Sequence, residues 1–246
     1  MIILPKTKLA DVMHQNYHLI PIITRFGIKF GFGDKNIEQV CTQYKINTCF
    51  FLEIINSFND EDYSHTSKLR ELPLEITVKY LLNSHNYFNN IKLPLIEKLI
   101  HKLNWEKPEN QKNKAILNKF FNEYRDEVIE HTTHEENDVY PFILNIEKNF
   151  KLGFANEDFK TILKIKSVKD YADSHDELNS TLLDLKNIII KYLPPAENSQ
   201  IIEQILVEIF DLEKDMADHS LIENTVLIPA ATKMESKLRK QLNLVK

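Results

Sequence analysis

Residues 131–141 read HTTHEENDVYP, and residues 219–229 read HSLIENTVLIP. In both segments a glutamate follows the first histidine by four residues, and a proline follows that glutamate by six. Side chains that are four residues apart lie on the same face of an α-helix. Each segment therefore predicts an imidazole and a carboxylate that point to the same place from one helix.

A lone histidine precedes each segment at a similar distance, His85 before the first and His175 before the second. The two halves of the pattern are offset by about 90 residues. Any one of these histidines, taken alone, is better explained as a core or surface residue. The repetition of the whole pattern favours a shared metal site instead.

Neutral imidazoles and carboxylates suit iron, manganese or zinc. Two metal ions held close together need carboxylates that bridge them, and Glu135 and Glu223 are placed on different helices to do so. We expect two metal ions in one site with six protein ligands, namely His85, His131, Glu135, His175, His219 and Glu223.

Another acid lies one helical turn before each repeated histidine, Glu127 before His131 and Asp215 before His219. Such a carboxylate can hydrogen-bond a ligating imidazole or relay protons, or it can belong to a solvated helix face. Both interpretations stay open. Glu136 is rotated by about 100° from its neighbour Glu135 on an α-helix, so we do not expect it to be a ligand.

The composition favours long helices, because the 246 residues include four glycines and nine prolines. A formal net charge of −5 without a basic cluster argues against binding to nucleic acid. No apolar run is long enough to span a membrane, and the start lacks the features of a signal peptide. Two cysteines are too few for a disulfide framework. We expect a cytoplasmic protein.

The pattern of apolar residues predicts an all-α chain in two domains. Residues 1–62 read as a small domain of three or four short helices, with Asn36 and Asn47 as helix caps. A polar linker follows, and residues 70–246 read as a four-helix bundle. The long helices are expected at about 73–104, 110–151, 156–192 and 197–241, and the short loops favour an up-down-up-down arrangement. Pro94, Pro141 and Pro229 are expected to kink or end helices.

Tyrosines can supply phenol groups to the cavity between the helices, although packing in the aromatic core is the better explanation for them. The residues considered for this role are Tyr80, Tyr87, Tyr124 and Tyr171.

Taken together, these residues resemble the hemerythrin-like di-iron proteins, and more narrowly the bacterial iron–sulfur cluster repair family. The segments 130–141, 174–177 and 218–229 are close to the motifs of that family. Oxygen carriers of the hemerythrin type have a further histidine where this chain has Asn179, which favours the repair type of site. The family also has a small helical N-terminal domain, and Ile20-Pro21 and 26–28 match its general run. Its adjacent cysteines are missing here, where residues 30–33 read FGFG.

The resemblance implies a centre of two iron ions joined by an oxo or hydroxo bridge, in a protein of nitrosative and oxidative stress defence. It implies the repair of damaged iron–sulfur clusters, with the damaged proteins as clients. Two alternatives stay open, a protein that binds or senses dioxygen or nitric oxide reversibly, and an enzyme that reduces nitric oxide or peroxide. The sequence leaves open whether the protein is an enzyme, and it leaves open the oligomeric state, a homodimer included.

Overall fold

The computed structural model describes residues 2–60, 63, 67–105, 111–171 and 176–244. Within these ranges the chain is helical, and the one β-contact is an isolated bridge between Lys8 and Asn36. The all-α prediction is therefore confirmed. None of the helices in the described part of the chain is both long and apolar enough to cross a membrane.

Four short helices come first: α1 Leu9–Gln15, α2 Leu19–Arg25, α3 Ile37–Tyr44 and α4 Thr48–Asn59. Asn36 and Asn47 cap α3 and α4 as predicted, because their side chains accept the backbone N–H groups of Gln39 and Phe50. These four helices enclose an apolar core of their own.

The rest of the described chain contains eight α-helical segments. They are α5 Leu74–Tyr87, α6 Leu93–Lys102, α7 Gln111–His134, α8 Tyr140–Leu152, α9 Glu157–Ile165, α10 Asp176–Asn187, α11 Ser199–Ile222 and α12 Ile228–Gln241. All but α9 belong to the bundle helices. Short π-helical turns join α5 to α6, α7 to α8 and α11 to α12 and extend α10, which gives four bundle helices at 74–102, 111–152, 176–192 and 199–241. Helix α6 contacts α7 and α11, and α10 contacts α7 and α11, so the four helices form a closed ring. Short 3₁₀ helices lie at Ser67–Glu71 and Val168–Tyr171.

Each of the four bundle helices contains one π turn. These turns are Phe88–Lys92, Glu135–Val139, Ile188–Tyr192 and Glu223–Leu227. In each case the residue after the turn donates its N–H to the carbonyl five residues back, and a proline comes next. A proline has no N–H, and its ring clashes with the carbonyl four residues before it, so a wider turn ahead of it relieves the clash.

The prediction that Pro94, Pro141 and Pro229 end helices is wrong, and the alternative, a kink, stays a prediction. The helices continue through Pro94, Pro141 and Pro229, because the π turns accommodate the rings. Pro194 does end its helix, and Leu193 before it is extended, as a residue before proline tends to be.

The predicted helix at 156–192 is also wrong, since it is broken after Ile165. The backbone N–H of Val168 donates to the buried carboxylate of Glu235 on α12 at 3.0 Å. The N–H of Ser167 donates to the side chain of Asp170 at 2.7 Å. These side chains take the N–H groups that a continuous helix would use, and a short 3₁₀ turn forms instead.

The first four helices also pack against the bundle, since Ile22, Phe50 and Ile54 belong to the same apolar core as residues of α5, α8 and α12. A buried ion pair joins the two parts, in which both guanidinium end nitrogens of Arg25 on α2 bind the carboxylate of Asp215 on α11. The guanidinium also lies 4.3 Å from the ring centroid of Tyr87. The predicted boundary between 1–62 and 70–246 stays a prediction, and most of its linker lies outside the described residues.

Replacing Arg25 by alanine should destabilise the fold, because it leaves the Asp215 carboxylate buried without its cation. We expect Arg25→Ala to lower the free energy of unfolding by about 3–5 kcal/mol in chemical denaturation. The double variant Arg25→Met/Asp215→Leu should recover most of that loss, since neither charge remains.

The exposed ion pair between Lys119 and Glu123 supplies the control, because such pairs contribute little. Lys119→Ala should change the free energy of unfolding by less than about 0.5 kcal/mol. An equally small effect of Arg25→Ala would show that the buried pair does not hold the two parts together.

Candidate metal centre

Three predicted ligands converge in the middle of the bundle. The side chains of His85 on α5, Glu135 at the start of its π turn and His219 on α11 are buried. One ligand atom from each lies within 4.8 Å of the others. Three of the four bundle helices therefore bring donor atoms to one point.

Glu135 lies between two histidines. Its Oε1 is 3.1 Å from Nε2 of His131, and its Oε2 is 3.2 Å from Nε2 of His85. The spacing of four residues puts His131 and Glu135 on one helical face, while His85 comes from the neighbouring helix. This carboxylate thus offers one oxygen to each side of the site.

Glu223 faces the same site from the start of the π turn in the fourth bundle helix. Its Oε2 lies 3.6 Å from Nε2 of His219. Its Oε1 accepts a hydrogen bond from the hydroxyl of Tyr140 at 2.5 Å. Two carboxylates from opposite helices therefore enter one buried space.

His175, the remaining predicted ligand, lies outside the described residues. Glu127 is exposed on α7, and its predicted role behind His131 stays a prediction. Asp215 is buried and holds Arg25 with both carboxylate oxygens, and its predicted role beside His219 likewise stays a prediction.

Two residues outside the predicted ligand set, Glu136 and Tyr140, complete the surroundings of His85. Glu136 accepts a hydrogen bond from Nδ1 of His85 at 3.0 Å. This bond leaves the lone pair of the imidazole on Nε2, the nitrogen that faces the site. The ring of Tyr140 stacks on His85 with centroids 5.6 Å apart.

The ionisable groups of the site shift one another's pKa values. Burial disfavours the charged form of His85, but the neighbouring carboxylates of Glu135, Glu223 and Glu136 raise its pKa above the usual value. Burial opposes ionisation of Glu135, yet His131 and His85 lower its pKa well below the usual value. Burial and the nearby carboxylates raise the pKa of Tyr140, so its phenol stays protonated and donates.

These donors fit a metal ion. The Nε2 atoms of His85 and His219 are only 3.2 Å apart, so two lone pairs meet unless a proton or a cation lies between them. The buried Oε2 of Glu135 makes no hydrogen bond of good geometry with the described residues. Imidazole nitrogens and carboxylate oxygens that converge in this way match the ligand preferences of iron, manganese and zinc.

A small cavity adjoins the donors on the side of the 3₁₀ helix. Its volume is about 70 Å³, and Glu135, Glu223 and Tyr171 contribute to its wall. The share of one molecule in liquid water is about 30 Å³. The cavity is therefore large enough for one or two small molecules beside both carboxylates.

Comparison with known proteins shows a distant similarity. No protein-family model matches the chain. The chain is similar to the iron-sulfur cluster repair protein ScdA of Staphylococcus haemolyticus (strain JCSC1435), with 18% identity over 207 residues. The aligned region covers 84% of this chain and 89% of that protein. The similarity gives weak support to the expected family.

Glu136 gives a direct test of how the site is oriented. Glu136→Ala removes the acceptor for Nδ1 of His85, and loss of such a partner typically weakens metal binding about 10–100-fold. Metal affinity is measured by competition with a chromophoric chelator. The exposed acid Glu130, on the preceding helix, supplies the control, and Glu130→Ala should leave the affinity unchanged. Equal metal affinities for the two variants would show that Glu136 does not orient His85 for metal binding.

Proposed function

We propose that this chain holds two iron ions in the bundle and takes part in the repair of damaged iron–sulfur clusters. The observation that supports the metal centre is Glu135, whose two oxygens lie beside His131 and His85. The printed name of the similar staphylococcal protein supports the repair function. We also propose that the protein works in the cytoplasm, with damaged iron–sulfur proteins as its clients.

The six ligands divide into two groups. His85 and His219 would bind one ion, and Glu223 would bind the same ion through Oε2, the oxygen beside His219. His131 would bind the other ion together with His175, which is assigned from the sequence pattern alone. Glu135 would bind both ions because its oxygens face the two groups separately.

Iron ions would supply Lewis acidity and one-electron chemistry, while the protein sets the conditions around them. Glu136 holds His85 in the tautomer that leaves Nε2 free to bind. Phe88 packs edge-on against His219, with ring centroids 5.7 Å apart, and excludes water from that side. Four imidazoles for two ions are fewer than an oxygen carrier supplies, and we propose that this eases the release of iron to a client.

The small cavity supports a second candidate function, the binding of a small gas molecule. Reversible binding of dioxygen or nitric oxide needs space next to the metal, and the cavity of about 70 Å³ touches Glu135 and Glu223. A reductase for nitric oxide or peroxide would use the same space. Reversible binding should give a stable adduct with its own optical spectrum, whereas reduction should consume the gas or peroxide when an electron donor is present.

The repair function is tested by reactivation of a hydro-lyase whose [4Fe–4S] cluster has been damaged with nitric oxide. The iron-loaded full-length chain should restore activity faster than the same concentration of free iron, without net gas consumption. Glu135→Gln keeps the size of the side chain but removes the charge shared by the two ions, so it should lose metal and reactivation together.

The iron content of the purified chain distinguishes two kinds of failure. A chain that holds two iron ions but restores no activity would contradict repair and favour gas binding or reduction. A chain that holds no iron after loading would contradict the metal centre itself.

A further inference from the structure

A basic groove of about 630 Å³ lies between α12 and the region where α9 is followed by the 3₁₀ helix Val168–Tyr171. Among the described residues, its wall contains one carboxylate, that of Glu235, and four cationic side chains, those of Lys164, Lys169, Arg239 and Lys240. The cations come from two stretches of the chain that are distant in sequence. The fold therefore creates a basic cluster that the sequence does not show.

The carboxylate of Glu235 is already compensated inside the protein. Its side chain is buried, and its Oε1 accepts hydrogen bonds from the guanidinium of Arg239 at 2.8 and 2.5 Å. Its Oε2 accepts the backbone N–H of Val168 at 3.0 Å. The guanidinium of Arg239 also donates to the backbone carbonyl of Lys166 at 2.8 Å. This ion pair holds the two sides of the groove together, and it leaves the charge of the three lysines uncompensated.

The three lysines of the groove are exposed. The ion pairs of the neighbouring surface are made by Lys160 and Lys166 instead. Within the described part of the chain, none of the three groove lysines lies within 4.0 Å of a carboxylate oxygen. The groove thus has a local excess of positive charge on a chain whose formal net charge is −5.

The basic groove adjoins the small cavity beside the metal donors along two elements. The 3₁₀ helix contributes Lys169 to the groove and Tyr171 to the cavity. Helix α12 contributes Thr232 to the groove and Ile228 to the cavity. Residues four apart lie on one face of a helix, about 6 Å from each other along its axis. A partner in the groove would therefore lie about one helical turn from the cavity that borders both carboxylates of the site.

We propose that the basic groove binds an acidic surface of the client protein and so holds the client beside the metal centre. This inference rests on the proposed repair function. Complementary surface charges speed the encounter of two proteins and fix their relative orientation. The lysines come from α9, the 3₁₀ helix and α12, so they present a broad positive surface rather than a closed set of donors around one small anion. The position of the groove would give iron a short path between the two proteins.

Reversal of the groove charges tests this proposal. The groove variant is Lys164→Glu/Lys169→Glu/Lys240→Glu. The control variant changes the net charge by the same amount at exposed lysines that do not line the groove, Lys98→Glu/Lys112→Glu/Lys191→Glu. Circular dichroism and the iron content after loading should be the same for both variants and the unmodified chain.

The first measurement is the binding of a fluorescein-labelled hexaglutamate peptide, which represents an acidic protein surface, to the full-length chain by fluorescence anisotropy. The groove variant should raise the dissociation constant at least about tenfold, and the control variant less than about threefold, because only the groove variant changes the charge at the binding surface. Raising the ionic strength from about 0.01 M to about 0.15 M shortens the Debye length from about 30 Å to about 8 Å, so it should weaken binding to the unmodified chain.

The second measurement is the reactivation of a negatively charged hydro-lyase whose [4Fe–4S] cluster has been damaged with nitric oxide. At low ionic strength and limiting concentrations of the iron-loaded chain, the groove variant should restore activity at least about tenfold more slowly than the unmodified chain. The control variant should restore activity at close to the unmodified rate.

The two measurements separate this inference from the proposed function. Absent peptide binding, equal peptide binding by the two variants, or equal reactivation by them would overturn the docking site and leave the repair function in place. Tighter binding of single-stranded DNA of the same charge would overturn it in favour of a nucleic-acid ligand. An unmodified chain that binds the peptide through the groove but restores no activity would overturn the repair function, and with it the assignment of the groove to a client.

Discussion

The structure depends on the compensation, by positive charge, of several imidazole and carboxylate groups that are buried together. Two imidazole nitrogens 3.2 Å apart and two carboxylates share one space between the bundle helices. Polar groups buried in this way are costly unless they are compensated. The neighbouring carboxylates raise the pKa of His85, and His131 and His85 lower the pKa of Glu135, so a proton on the His85 imidazole offsets part of this cost. Bound metal ions would supply the same positive charge, and they would link helices that are distant in sequence.

Prolines shape the backbone of the bundle helices around the site. Four prolines, one in each bundle helix or at its end, lie just beyond a π turn, and in two of these helices the turn begins at a glutamate of the site, Glu135 or Glu223. A wide turn costs regular α-helical hydrogen bonding, and such turns occur frequently at functional sites. Here the turn reorients the residues that follow the glutamate, so that Tyr140 reaches both His85 and Glu223. The repeated proline thus contributes to the site through the π turn that precedes it.

The sequence predicts whatever depends on regular helical geometry. His131 and Glu135 face one point because they are four residues apart, and the same holds for His219 and Glu223. Tyr140 was missed because its direction depends on a π turn, and Glu136 because its partner is on another helix. The predicted helix at 156–192 failed because its N–H groups are taken by Glu235, distant in sequence. Arg25 reads as a surface residue of a short helix until Asp215 is seen beside it.

The central claim is that one buried site in the bundle holds two ions that share Glu135. Diffraction from crystals of the iron-loaded chain, recorded on both sides of the iron absorption edge, tests it most directly. The account predicts two anomalous peaks inside the bundle, one on the side of His85 and His219 and one on the side of His131, with the Glu135 carboxylate between them. A single peak, or iron bound only at surface histidines such as His18, would contradict it.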